Sequence, residues 1–222
     1  LEETFKSVSN DSADEGTLAH TLSELHLRNQ LGIMKKIDYN RELKKVKNNT
    51  YYNTEMNAHC IDYATFILEK YDKLEDPSIF IEEKIDLREF IPEGFGTVDC
   101  IMIADEILDI NDYKYGKGVL VEANDNKQMM LYALGALGKY SLLYTIKVIR
   151  MTIYQPRLNN YSSFETSADW LLEWGETHVK PNAKLAFEGK GDYKAGPHCK
   201  FCKARNQCKT LADHNMSLAK YA

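Results

Sequence analysis

The sequence predicts an α/β (α+β) layered domain with a mixed central β-sheet flanked by helices. Three observations lead there. Apolar residues recur at helical spacing up to about residue 74, strand-like alternation takes over from 79 to 114, and an apolar helix followed by a strong strand occupies 126–156.

SNDSADEG (9–16) is a polar lead-in with good capping residues, and a helix is expected over 17–32. Leu18, Leu22 and Leu25 share its face, and Gly32 is its stop. Residues 35–50 are strongly charged and helix-compatible, and a solvated surface helix accounts for them. Residues 53–74 read as a long amphipathic helix that ends before Asp76-Pro77. IFIEEKIDLREF (79–90) alternates Ile79, Ile81, Ile85 and Leu87 on one strand face. Pro92, Gly94 and Gly96 punctuate a turn, and strands follow at 97–105 and 106–114. The short interval at Asp105-Glu106 makes these two an antiparallel hairpin. Residues 115–125 form a loop, and 126–140 a buried helix. The strand at 144–156 turns Ile146, Val148, Met151 and Ile153 toward a core. A helix at 167–187 is expected to break at Pro181.

With 28 Lys and Arg against 33 Asp and Glu, the net charge is −5, which argues against a protein that coats DNA non-specifically. A local basic groove and metal-binding carboxylates remain compatible with it. No apolar run reaches the roughly 18 residues of a membrane span, and the expected compartment is the cytoplasm. Three of the five cysteines crowd near the C-terminus, which suits a metal site in a reducing compartment better than a disulfide framework.

The chain is organised around Gly94–Tyr132. Asp99 lies on one strand and Asp112 near the end of its hairpin partner, so the two could converge on one hard divalent cation. Lys114 shares the face of Asp112 because strand side chains repeat every two residues. Its ammonium is placed to orient water or stabilise developing negative charge. Tyr113 points the other way, but its backbone carbonyl could coordinate the ion. Gln128 and Tyr132 follow four apart on a helix. Acid, acid-x-lysine and Gln-x-x-x-Tyr together form the pattern of a divalent-metal nuclease core.

GTVDCIMI, NDYKYGKG and QMMLY resemble the core motifs of the PD-(D/E)XK nuclease superfamily. The likeness is to its RecB-like branch, and most of all to phage and prophage RecB-like nucleases similar to the CRISPR-associated adaptation exonuclease. It covers residues 13–210 or so. The resemblance implies a restriction-endonuclease-like core, with a nuclease domain over 1–195 (N-terminal helices 1–75, catalytic core 79–187) and a cysteine knuckle at 196–222 packed on it. It assigns Asp99, Asp112 and Lys114 to the catalytic acids and lysine. Gln128 and Tyr132 then contact DNA and order the lysine. EGTLAH resembles the branch's Gly-x-x-x-His helix, which makes His20 a further metal ligand beside Asp99, Asp112 and the Tyr113 carbonyl. A nitrogen ligand shifts the expected ion from Mg²⁺ toward Mn²⁺. Glu24, four residues on, reads as a surface residue; Glu82 and Glu83 open a strand near the site, where a solvated face is the favoured reading and support of the ligands from behind is the alternative.

Cys199, Cys202 and Cys208 form C-x2-C-x5-C among basic residues. Thiolates this close imply a metal or cluster. In the branch resembled, three such cysteines join a fourth, N-terminal to the His-bearing helix, around a [4Fe–4S] cluster; here that fourth is expected upstream of Leu1. The alternative is Zn²⁺ held with His198 or His214. Cys60 and Cys100 read as buried apolar residues.

The expected activity is that of a metal-dependent deoxyribonuclease. It would be an exonuclease acting on DNA ends or single strands in phage recombination or replication within a bacterial host. A phage single-strand annealing protein is the expected companion. The alternatives are a non-catalytic DNA-binding or assembly module of the same fold, and a structure-specific endonuclease.

Overall fold

A computed structural model describes residues 11–200 and 202–219. Three helices come first: α1 (Asp11–Gln30), α2 (Lys36–Lys47) and α3 (Thr54–Tyr71). Three strands follow, β1 (Ser78–Asp86), β2 (Phe95–Ala104) and β3 (Ile107–Tyr113), then helix α4 (Lys127–Tyr140). β4 (Val148–Gln155) and β5 (Asn160–Ser167) complete a five-stranded sheet in the order β1-β2-β3-β4-β5. α5 (Ala168–Trp174), α6 (Lys180–Phe187) and α7 (Lys209–Ala219) end the described chain. The β3–β4 pair is parallel and the other three are antiparallel. The expected mixed sheet between helical layers is therefore present. A parallel pair cannot be closed by a tight turn, and α4 supplies the crossover from β3 to β4.

Each face of the sheet has its own core. On one, Leu22, Met56, Tyr63 and Ile67 of α1 and α3 pack on Cys100, Met102 and Tyr113. On the other, Met129, Ala133 and Leu134 of α4 pack on Ile101, Ile110, Met151 and Ile153. Side-chain caps set the helix starts. Asn53 accepts from the Met56 N–H at 2.8 Å, and Asn126 from the Met129 N–H at 3.2 Å. Among the described residues no helix is long and apolar enough to cross a membrane.

Several sequence expectations are corrected. α1 already includes Asp11–Gly16, so most of the polar lead-in is helical, with Asp11 and Asp14 in the favourable first turn; positions 9 and 10 lie outside the described residues. Gly32, at φ +70°, does end it. Ile79, Ile81, Ile85 and Leu87 do not share one face. Ile79 and Ile81 join the α1–α3 core, whereas Ile85 and Leu87 join the α4 core. Glu82 between them has φ +52°, which turns the strand over. In β4 the fully buried apolar residues are Ile149, Met151 and Ile153; Val148 is half-buried and Ile146 precedes the strand. β5 has a polar alternation on an edge, and its register on β4 runs from Val148–Ser167 to Gln155–Asn160. The helix at 168–187 does not break at Pro181. A π turn at Gly175–Val179, with the Lys180 N–H donating to the Gly175 carbonyl, absorbs the missing proline donor.

The β2–β3 hairpin is as expected, and it turns on Asp105 and Glu106, both left-handed at φ 51° and 63°. Helix α4 reaches the sheet because Gly135 has no side chain. A Cβ there would run into Ile85 Cγ2 and Leu87 and lie 3.0 Å from the Asp86 carbonyl. Helix propensity favours Ala over Gly by about 1 kcal/mol, but overpacking against a strand costs ~1–3 kcal/mol. Gly135→Ala should therefore lower stability, seen as a reduced urea midpoint at unchanged m-value. A raised midpoint would show that α4 and β1 are loosely packed.

Candidate metal centre

The charged residues meet where β2 and β3 part. Their ladder ends with Cys100 opposite Asn111, so the next residues, Asp99 and Asp112, lie side by side. Asp99 is held through both oxygens. Oδ1 is 3.0 Å from Nδ1 of His20 on α1, and Oδ2 accepts the Tyr113 backbone N–H at 2.7 Å. The His20 ring also meets the Tyr113 ring edge-on, with centroids 5.8 Å apart.

Glu82 comes to the same place from β1. Paired residues flank it and Asp99 on both sides, Ile81 with Cys100 and Glu83 with Val98. The left-handed turn at Glu82 brings its carboxylate to the α1 side. One ligand atom each from His20, Glu82 and Asp99 lies within 4.8 Å of the others, the one such group of three among the described residues. Burial, then the charges of Asp99 and Glu24, push the Glu82 carboxyl up to about 7. For His20, burial works toward the neutral ring, but the hydrogen bond and charge of Asp99 outweigh it and favour the imidazolium.

Asp112 stands just outside that trio. Its side chain is buried, and burial and the neighbouring Asp99 charge raise its proton affinity, against the pull of Lys114. Lys114 Nζ is 3.3 Å from Oδ1 and 3.0 Å from Oδ2, though no hydrogen bond reaches Oδ2. The same ammonium donates to Gln128 Oε1 at 3.0 Å, and the Gln128 amide donates to the Tyr132 hydroxyl at 2.8 Å. Tyr132 lies against Gly96, where a Cβ would come within 2.6 Å of the ring. His20, Asp99, Asp112, Lys114, Gln128 and Tyr132 are thus brought to one end of the sheet, in two neighbouring groups. The strand's other acid, Asp109, faces α3 and pairs with Lys70 at 2.7 Å, so it holds the helix down and takes no part here.

The sequence reading placed Glu82 on a solvated face, and the structure corrects this. The register that sets Asp86 opposite Phe95 also sets Ile81 opposite Cys100, and hence Glu82 opposite Asp99; a turn placed at 91–96 does not give this alignment. Glu24 behaves as a surface residue, paired with Arg28 at 2.7 Å.

Three carboxylates crowded against one lysine and one histidine leave a negative field. Burial first, and that field second, raise the proton affinity of Glu82 and Asp112. Oxygen donors with one imidazole nitrogen suit Mn²⁺ or Mg²⁺ in donor type. The C-terminal thiols form a separate feature. Cys199, Cys202 and Cys208 are free and half-buried, and they line one cavity of about 370 Å³ together with His198. Shared lining by three free thiols fits a thiolate-held group; of the two candidate histidines, His198 lines this cavity. Cys60 and Cys100 are fully buried, and burial pushes the Cys60 thiol up to about 12.

These features define an α+β protein whose mixed sheet presents a cluster of carboxylates with one histidine at the parting of two central strands. The chain belongs to the family described as "Protein of unknown function (DUF2800)", whose model matches residues 1–222. It is also similar to a solved protein titled "Crystal structure of SSO0001", at 13% identity and a TM-score of 0.33, over 89% of this chain and 98% of that one.

Protonation of Glu82 offers a test of the cluster. Its folded value of about 7 lies above the ordinary 4.5. The stability it contributes is therefore full below the ordinary value and lost as pH rises through about 7. In metal-free protein, Glu82→Gln should gain melting temperature relative to wild type between about pH 5 and about pH 8, by scanning calorimetry. A difference independent of pH would put Glu82 in solvent, away from Asp99.

Proposed function

We propose that the chain is a divalent-metal-dependent deoxyribonuclease of the PD-(D/E)XK type, in the RecB-like branch. We propose further that it works as an exonuclease on DNA ends or single strands. The observation that carries this reading is the side-by-side placement of Asp99 and Asp112, with Lys114 fixed between Asp112 and Gln128.

His20, Asp99, Asp112 and the Tyr113 carbonyl would hold the metal, and Glu82 joins them on its geometry. A bound Mn²⁺ or Mg²⁺ supplies an activated water and neutralises charge on the phosphoryl oxygens. Asp112 raises the proton affinity of Lys114, so the lysine is an ammonium. It would stabilise negative charge on the phosphate and orient water. Gln128 restricts that ammonium to one direction, and Tyr132 in turn fixes the Gln128 amide. Gly96 is required so that Tyr132 can lie flat against β2. Cys199, Cys202 and Cys208 would hold a [4Fe–4S] cluster or Zn²⁺ as a staple, outside the chemistry. DNA is the partner, and a phage annealing protein would be its companion in the host cytoplasm.

End-labelled linear DNA, single- and double-stranded, should be cut with Mn²⁺ or Mg²⁺ and left intact in EDTA, while covalently closed circles survive. Lys114→Ala should slow cleavage about 10²- to 10³-fold, and Asp112→Ala should abolish it with an unchanged circular-dichroism spectrum. Wild-type rates in Asp112→Ala, or no cutting by the folded wild type with either metal, would contradict the assignment.

A further inference from the structure

Both tryptophans of the chain, Trp170 and Trp174, line a single cavity of about 520 Å³ between the start of α4 and the π turn. Neither serves simply to fill the core. Trp170 is 44% exposed, and Trp174 is half-buried at the core's edge. Trp174 lies nearly parallel to His178, with an interplanar angle of 24° and centroids 6.3 Å apart. The segment is fixed from behind, because Gly175 abuts Phe90 so closely that a Cβ would come within 2.7 Å of the ring. The result is an aromatic wall whose open member is Trp170.

The polar lining indicates what the wall could take. Lys127 Nζ lies over the Trp174 ring, 5.5 Å from its centroid, and also contacts Asp125, and Glu173 adds a second acid; Trp170 is the indole left open. Two carboxylates beside one already paired lysine repel a phosphate. They accept hydrogen bonds from the ring and exocyclic N–H groups of a neutral planar heterocycle, which the Trp170 indole would stack. An unpaired nucleobase has both properties. The cavity and the candidate centre share the first turn of α4: Lys127 lines the one, and Gln128, the next residue, contacts Lys114 and Tyr132 in the other.

We propose that this cavity binds one unpaired base of the strand whose phosphate is cut at Asp112 and Lys114, an inference that rests on the nuclease reading above. The base-paired form of the same strand cannot enter, because its flat faces are already stacked. The pocket therefore selects single-stranded DNA, or an end that has frayed.

Because both tryptophans line the pocket, fluorescence excited selectively in the indoles, beyond the absorption of the 14 tyrosines, reports on it. The full chain in EDTA would be titrated with a short unpaired oligodeoxynucleotide and with an abasic strand of equal length. Quenching by the first and not by the second is expected. Trp170→Ala should weaken binding of the base-bearing strand about 5- to 150-fold, and Trp170→Phe should restore most of it. No quenching, or equal quenching by the abasic strand, overturns the base pocket whatever the variants do. If DNA is still cut with Mn²⁺ in that case, the nuclease reading survives the loss of the pocket. Base-dependent quenching by a protein that cuts nothing supports base binding and overturns the nuclease instead.

Discussion

The arrangement depends on one carboxylate with two obligations. Asp99 joins His20 of the first helix to the backbone N–H of Tyr113, and so ties α1 to the sheet at the point where β2 leaves β3. Both contacts strengthen when the carboxylate is ionised. The same ionised group sets the conditions for its neighbours, since its charge raises the proton affinity of both Glu82 and Asp112. A group that anchors structure while destabilising adjacent charges leaves a site whose natural complement is a cation.

The two faces of the sheet divide the work. The face covered by α1 and α3 brings His20, and its own lysine–acid pair, Lys70 with Asp109, is spent on holding α3. The face covered by α4 brings Gln128 and Tyr132 to Lys114. Asp99 and Asp112 lie where the strands part, within reach of both layers. Glu82 joins them through a left-handed backbone that a glutamate adopts only at a cost. Strain of that kind persists where the surroundings demand it, and here it delivers a third carboxylate to the cluster.

How much could be read from the sequence followed from how local the signal was. The β2–β3 hairpin, with Asp99, Asp112 and Lys114 in place, was legible because alternation and a two-residue turn are short-range features. α4 and its Gln128–Tyr132 pair were legible for the same reason, and His20 came from a family resemblance. Glu82 was missed because alternation presumes an unbroken pleat, and the turn-over at φ +52° reverses it. β5 was missed because an edge strand with one polar face carries serine and threonine where core strands carry apolar residues. Pro181 was expected to stop its helix, but the π turn before it depends on Gly175 packing against Phe90, a contact between distant parts of the chain. The exposed tryptophans were apparent only as composition until the fold placed both on one cavity.

The most direct measurement is Mn²⁺ binding, followed by the loss of the free-ion electron paramagnetic resonance signal as protein is added, for wild type and Asp99→Asn. The C-terminal thiols are identical in both proteins, so the difference isolates the carboxylate cluster. Binding by the wild type that is lost in Asp99→Asn is the result expected of a metal centre at Asp99. Equal Mn²⁺ uptake by the two proteins, or none by either, would contradict it.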